Sequence, residues 1–538
     1  MTRYPVTAEL VDRSAELYGD HPALRFKRDG QWQDMSYASL LDDVSRVAGG
    51  FVAQGIQPGD RVAVLAETCP EWTVCDLAIA RVGAVCVPIY PTSPARECAW
   101  VLGDSGAKMV VYEDSGHFTR IAGVRHRLPA LEQVVALDQL HRGEPVEPLP
   151  SNENEPSTII YTSGTTGPAK GCPLSPANLR AAQSSIDTFV TMGTGDVVYL
   201  YLPLAHLFAR MTQVMTLALG ATLAYSSGDV REIVSELTEV RPTLLPSVPR
   251  LFEKVHAKVT TLAEGMDPER VHDLVRGAFG GRLREALTGS APISPEILEF
   301  FHACGVPVYE AYGMTESTAV ISANGPGAVR FGSVGRPLPG VEVRIADDGE
   351  VLAAGANVFS GYHANEAATG EALRDGWLHT GDLGALDEDG YLHITGRKKD
   401  LIITAGGKNL SPANMENDLR RSRWISHAVV HGDRRPYAVA LITLDEEEVL
   451  PWARENGLPE GIAELARHPR VLDLIGKAVA EANQGYSPPE RVRRFAVLEH
   501  DFSQEAGELT PTSKLRRKIV QERYSALVDE LYGGNLRA

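Results

Sequence analysis

Apolar and polar positions along the first two thirds of the chain switch repeatedly between helical and strand spacing. Residues 7–24 (TAELVDRSAELYGDHPAL) and 36–56 (SYASLLDDVSRVAGGFVAQGI) place apolar side chains three and four apart and predict helices. The second is ended by Gly55 and the Pro58-Gly59-Asp60 turn. Residues 61–67 (RVAVLAE) form a short apolar run of the kind buried on both faces of a sheet. A helix is predicted over 71–84, a strand over 85–92 stopped by prolines, and another strand over 108–113. This alternation implies an α/β fold of layered subdomains, with mostly parallel sheets covered by helices.

The stretch RGEPVEPLPSNENEP, rich in proline, Asn and acid, reads as a surface connection into the strand Thr158-Ile159-Ile160. After it, 177–190 is helical and 196–209 is largely apolar. Strands are predicted within 221–227, 243–248, 306–313, 341–347 and 391–396. From Arg397 the texture changes to a basic, glycine-containing turn followed by smaller α+β patterning: strands over 427–432 and 437–444, then a helical stretch over 459–484. The expected division is a large N-terminal part, 1–396, and a small C-terminal α+β part, 397–538.

Composition changes this picture little. With 538 residues the chain exceeds one ordinary core, while 43% hydrophobic and 23% charged residues are ordinary globular values. A formal charge of -18 argues against a general nucleic-acid binder. Cys69, Cys75, Cys86, Cys98, Cys172 and Cys304 form no CxxC pair, which suits packed, reduced thiols better than a disulfide framework or a zinc site. No run reaches the about 18 apolar residues of a spanning helix, and the N-terminus lacks an apolar signal core. The expectation is a cytoplasmic protein without a transmembrane segment. Nothing in the chain predicts an oligomeric state.

The chemistry concentrates in residues 161–171, YTSGTTGPAKG. Glycines allow close backbone approach, the hydroxyls of Thr162, Ser163, Thr165 and Thr166 crowd one small volume, and Lys170 adds a cation. Such a loop, with Gly164 and Gly167 at its turns, suits a polyphosphate. It is not the nucleotide P-loop, in which Gly-Lys is followed at once by Ser or Thr; here Gly171 and Cys172 follow Lys170.

The string resembles the phosphate loop of the adenylate-forming (AMP-binding) superfamily, and further stretches match that family's motifs in the same order. LPLAHLFAR carries His206, placed in relatives near the acyl site; on an apolar segment it also reads as a packed core histidine. LTGSAPISPEI presents Gly289, Ser290 and Ala291, matching a segment against which relatives stack adenine, and Ser294-Pro295 there also reads as a helix start. YEAYGMTEST supplies Glu310, Ala311, Tyr312, Gly313, Met314, Thr315 and Glu316. The resemblance implies nucleotide contacts for these, with Tyr312 against adenine, Thr315 near the α-phosphate and Glu316, together with Thr165, on Mg²⁺. Asp382 in WLHTGDLG and Arg397 in GRKKD match the ribose-binding pair, and Lys399 matches the hinge. GELTPTSKLRRKIV places Lys514 at the catalytic lysine.

Taken together, the resemblance implies a mobile C-terminal lid and an ATP-dependent ligase that activates a carboxylic acid as its adenylate. Mg²⁺ assists, and coenzyme A is the co-substrate. The texture is closest to long-chain fatty acyl-CoA synthetases, so a fatty or other hydrophobic small-molecule acid is expected. GCPLSPANL, with its Cys172-Pro173 pair, departs from the usual continuation of the phosphate loop. Two alternatives keep adenylation and change the acceptor: an acyl-AMP ligase feeding a carrier protein, and a nitrite-activating, diazo-forming ligase. A third, a non-catalytic nucleotide sensor, is opposed by the complete set Lys170, Glu316, Asp382, Arg397 and Lys514.

Overall fold

The computed structural model describes residues 7–150, 152–162, 168–263, 265–405, 409–488, 490–510 and 514–533. Two large sheets are built around the apolar runs seen in the sequence. One has six strands in the order Gln133–Ala136, Met109–Tyr112, Arg61–Leu65, Val85–Ile89, Thr158–Thr162 and Lys170–Leu174, parallel except for the last. The other has nine, ordered Arg336–Pro337, Ser322–Ala323, Val308–Tyr312, Glu285–Thr288, Leu244–Ser247, Val197–Leu200, Thr222–Tyr225, Pro22–Arg28 and Gln31–Ser36. It is parallel across its middle and antiparallel at both ends.

Period-two alternation assigns the layers. Val62 and Val64 enter a core shared with the nine-stranded sheet, whereas Ala63 and Leu65 enter a separate core beneath the helices Ala95–Ser105 and Ser115–Val124. The shared core is filled by Leu10–Tyr18, Tyr37–Ala53, Pro70–Arg81 and Leu207–Ala218. Ile233–Val240, Pro249–Leu262, Pro268–Ala278 and Pro295–Ala303 cover the outer face of the nine-stranded sheet. The result is five layers: helix, sheet, helix, sheet, helix. Proline opens many of these helices, because its missing N–H falls where no intrahelical acceptor exists.

One charged pair is buried in the middle layer. Arg210 donates to Asp76 through Nη2 at 2.5 Å and Nε at 3.2 Å, and its Nη1 reaches the Thr158 hydroxyl at 2.6 Å. Gln213 also donates to Asp76 at 3.1 Å. Two helices are thereby tied to the strand that leads into the phosphate loop.

A third sheet is antiparallel throughout: Val341–Ile345, Glu350–Gly355, Trp377–Leu386 and Leu373–Arg374, with Leu392–Arg397 paired to Trp377–Leu386. Beyond it, Ile425–His431, Ala438–Leu444 and Val492–Val497 form a three-stranded sheet. Pro412–Arg420 and Pro469–Ala482 pack on one face of it, Arg517–Arg523 and Ser525–Gly533 on the other. No described helix is long and apolar enough to cross a membrane. All six cysteines are free, and all but Cys69 are buried.

The helix expected over 7–24 ends at Tyr18. Gly19 takes φ +40 with its N–H on the Ala15 carbonyl, and the chain re-enters as a strand at Pro22. That strand turns through Asp29 and Gly30, both at positive φ, into Gln31–Ser36. Asp-Gly is a strong hairpin dipeptide, but the half-exposed strands around it gave too little apolar alternation to be read as a pair. The helix expected over 177–190 stops at Ile186. The antiparallel third sheet qualifies the expectation of mostly parallel pairing.

Candidate active site

The loop that drew attention in the sequence is the tip of an antiparallel hairpin: Thr162 lies opposite Lys170, and Tyr161 opposite Gly171. Both arms are pinned to the helix Ala95–Ser105. The Tyr161 hydroxyl donates to Asp104 at 2.6 Å, and the Trp100 indole donates to the Ala169 carbonyl at 2.7 Å. Ser163, Gly164, Thr165, Thr166 and Gly167 lie outside the described residues. Lys170 Nζ stands 4.6 Å from the centroid of the Tyr362 ring, whose hydroxyl donates to Glu316 at 2.7 Å. The unusual Cys172-Pro173 pair has a packing reason. Cys172 is fully buried in the core below the hairpin, and Pro173 sits on the terminal strand of its sheet, where a missing N–H is tolerated.

A second group of segments converges from the nine-stranded sheet. Thr288 lies opposite Glu310, which sets the Gly289-Ser290-Ala291 turn beside Ala311 and Tyr312. Ser290 is held at φ +68, a left-handed conformation that costs a non-glycine residue about 1 kcal/mol. At Gly313 a Cβ would lie 2.1 Å from the Ala319 carbonyl oxygen, so only glycine permits these two backbones to meet. Glu310 is buried beneath the turn, and burial raises its carboxyl pKa to about 8, partly offset by the Ile293 N–H.

The third sheet brings Asp382 and Arg397 together as a cross-strand pair. Arg397 Nε is 3.1 Å from Asp382 Oδ1, and the Tyr312 hydroxyl donates to Oδ2 at 2.7 Å. Asp382 is 6% exposed while the Arg397 side chain is 53% exposed, so the acid is fixed and the base reaches out from the rim.

Lys514 enters from the C-terminal part. Its backbone is clasped by Thr510: the Thr510 N–H donates to the Lys514 carbonyl at 2.7 Å, and the Lys514 N–H donates to the Thr510 hydroxyl at 3.0 Å. The side chain keeps access to water, yet it stands in a cleft walled by protein. That desolvation, with Arg397 close by, lowers its pKa from the ordinary lysine value, while Asp382 and Glu316 act the other way. His206 caps the helix Leu207–Ala218, its Nδ1 accepting the Phe208 N–H at 3.2 Å. Burial, and then the charge of Lys514, lower its pKa to about 4, so it is neutral at physiological pH. It is both the satisfied capping histidine and a wall of the site.

One cavity of about 1110 Å³ joins these elements. Every predicted site residue among the described ones lines it: Thr162, Lys170, His206, Gly289, Ser290, Ala291, Glu310, Ala311, Tyr312, Gly313, Met314, Thr315, Glu316, Asp382, Arg397, Lys399 and Lys514. Apolar side chains that the sequence did not disclose also line it and together make its apolar limb: Phe189, Met192, Met211, Met215, Leu244 and Leu287. Tyr362 was missed as well, since its bond to Glu316 spans 46 residues and no local pattern announces it. Among the described residues no cluster of three metal-ligating side chains exists, so a divalent ion would rest on the Glu316 carboxylate and on oxygens of its ligand. The arrangement can hold a polyanion beside an apolar tail, with a cation at the junction.

Matches to known proteins follow the same layout. Residues 11–363 match the AMP-binding enzyme family, and residues 399–535 match the AMP-binding enzyme C-terminal domain. The chain is 38% identical to long-chain-fatty-acid–CoA ligase FadD15 of Mycobacterium bovis, covering 94% of this chain and 93% of that protein. It is 31% identical to long-chain-fatty-acid–CoA ligase ACSBG2 of Gallus gallus, covering 97% and 81%. Its fold matches the O-succinylbenzoate coenzyme A synthetase of Bacillus subtilis, solved with ATP and magnesium, at a TM-score of 0.75 and 24% identity over 95% of this chain and 98% of that one.

Proposed function

We propose that this chain, which belongs to the AMP-binding enzyme family, is an ATP-dependent fatty acid–CoA ligase that works through an acyl adenylate. The observation that carries this reading is the convergence of Lys514, Glu316, Asp382 and Arg397 where a polar chamber meets an apolar limb. A carboxylate resists nucleophilic attack because it must expel an oxide-like group; a mixed anhydride with AMP removes that obstacle. In the first step one carboxylate oxygen attacks the α-phosphorus of ATP while the bond to pyrophosphate breaks. In the second the coenzyme A thiol attacks the acyl carbon and AMP leaves.

In this reading the enzyme positions and neutralises rather than forming a covalent intermediate. Asp382 and Arg397 take the ribose hydroxyls. Tyr312, with its ring held by Asp382, and the Gly289–Ala291 turn take adenine. Lys170, Thr162 and the loop residues Ser163 to Gly167 take the phosphates, with Met314 and Thr315 beside the α-phosphate. Lys514 bridges the acid and the phosphates. Neutral His206 adds no competing charge beside the acyl carboxylate. The buried Glu316 carboxylate is a hard oxygen donor that suits Mg²⁺, which Glu316 and Thr165 would hold and which would neutralise phosphate oxygens when bound. The apolar limb takes the hydrocarbon chain. The two relatives named above are long-chain-fatty-acid–CoA ligases, which favours this acceptor over a carrier protein or an amine.

Residues 397–538 act as a lid that turns about Lys399 relative to 1–396, withdrawing Lys514 before thioester formation. The stretch 405–409 then faces the thiol; residues 406–408 of it lie outside the described residues. A reducing compartment such as the cytoplasm fits the six free cysteines.

The test is pyrophosphate release across fatty acids, aryl acids and nitrite, with and without coenzyme A. Release and thioester formation with fatty acids are expected; turnover confined to nitrite plus an amine would refute the reading. Lys514→Ala should abolish acid-dependent pyrophosphate–ATP exchange but keep thioester formation from supplied acyl adenylate, and near wild-type exchange would remove Lys514 from its role.

A further inference from the structure

We propose that Glu97 is a positioning residue that docks the Lys514 segment for adenylate formation and lets it go for thioester formation. The proposal rests on the ligase reading above. The segment around Lys514 is folded back on itself: Leu509 bridges Leu515, and the Arg516 N–H donates to the Glu508 carbonyl at 2.7 Å. Glu508 is wholly buried and accepts from Arg523 at 2.7 Å and from the Tyr524 hydroxyl at 3.0 Å. The loop that carries the lysine is therefore fixed to its own C-terminal part, and its placement over the nucleotide chamber depends on contacts across the cleft.

Arg516 makes such a contact. It stands two residues from Lys514, at the start of the helix Arg517–Arg523. Its Nη2 donates to Glu97 Oε1 at 3.2 Å, with the two side chains only 20% and 15% exposed. Arg516 Nε is buried without a hydrogen-bond partner among the described residues, which leaves the Glu97 contact to orient the guanidinium. Beside this pair, Arg96 Nη2 lies against Gly507, where a Cβ would stand 3.4 Å from it.

The place of Glu97 in the fold gives the contact its meaning. It occupies the first turn of the helix Ala95–Ser105, the same helix whose Trp100 and Asp104 pin the two arms of the phosphate-loop hairpin. One rigid element thus sets the phosphate loop and the lysine segment in a common frame. When the lid turns and Lys514 withdraws, the Arg516–Glu97 pair parts, so its energy is available to the first half-reaction alone.

The experiment measures both half-reactions separately in Glu97→Gln, Glu97→Asp and the exchanged pair Glu97→Arg with Arg516→Glu. Adenylation is read as pyrophosphate–ATP exchange with a fatty acid. The second step is read as thioester formation from supplied acyl adenylate and coenzyme A. A partly buried ion pair predicts about a tenfold fall in the kcat of exchange for Glu97→Gln. The KM for ATP should stay within about twofold, because the nucleotide contacts are untouched. Thioester formation should be unchanged or faster, with partial recovery in Glu97→Asp and in the exchanged pair. Equal losses in both half-reactions, or no loss in exchange, would overturn the proposal. A wild-type enzyme that shows no exchange with any acid would instead overturn the ligase reading beneath it.

Discussion

Replacing Asp382 by Asn tests the nucleotide chamber at the point where the structure is most explicit. Asp382 is 6% exposed and accepts from the Tyr312 hydroxyl at 2.7 Å and Arg397 Nε at 3.1 Å. Asn keeps the shape and an oxygen for Tyr312 but removes the charge. In the empty enzyme the change is mild, because the Arg397 side chain is 53% exposed and water replaces its partner. With ATP bound the loss is larger. On the proposed ribose assignment two hydroxyls lose a charged acceptor, and a hydrogen bond to a charged group is worth about 1.5–3 kcal/mol. Taking about 3 kcal/mol for the pair, since binding energies of neighbouring bonds do not add fully, gives roughly a hundredfold rise in the KM for ATP. The kcat at saturating ATP should fall much less, because the ribose is remote from the phosphorus under attack. Initial rates of pyrophosphate release over a range of ATP concentrations read both constants. A KM for ATP within about threefold of wild type, with the thermal midpoint unchanged, would refute the assignment of Asp382 to the ribose.

Two further outcomes follow from the electrostatics. Burial and Arg397 lower the pKa of Lys514, so its cation is lost at a lower pH than that of an ordinary lysine. If Lys514 serves adenylation alone, as proposed, adenylation should therefore decline on the alkaline side before pH 10.5 while thioester formation from supplied acyl adenylate shows no such decline; exchange and thioester profiles measured from pH 6 to 10 separate the two. Asp76→Asn leaves Arg210 buried without its counter-charge, which should destabilise the large N-terminal part by about 3 kcal/mol and show as a lower urea midpoint at unchanged slope.

Much of the site was legible in the sequence because its residues come in short contiguous motifs. The Gly289–Ala291 turn and Tyr312 to Glu316 sit at or beside the end of a strand, where local sequence sets both the turn and the side chain it presents, while Asp382 lies within the strand Trp377–Leu386. The apolar runs at 61–65 and 85–89 predicted buried strands for the same reason: burial on both faces writes itself into consecutive residues. The hairpin Pro22–Ser36 was missed because its half-exposed faces blur that record, even though Asp29-Gly30 marked the turn.

What tertiary structure alone decided is everything that depends on residues distant in sequence meeting in space. The run YTSGTTGPAKG announced a polyanion by itself, but not that Tyr362 would bridge Lys170 and Glu316, nor that Trp100 and Asp104 would pin the hairpin from one helix. His206 could be read either as a packed histidine or as a site residue; the fold makes it both, a helix cap whose charge is suppressed by burial and by Lys514. The apolar limb is the clearest case. Phe189, Met192, Met211, Met215, Leu244 and Leu287 are ordinary core residues in sequence, and only the packing of the helix Leu207–Ala218 and the segment after Ile186 against the nine-stranded sheet leaves a space between them. Side-chain type follows from burial, which sequence records; an unfilled volume follows from the mutual placement of whole elements, which it does not.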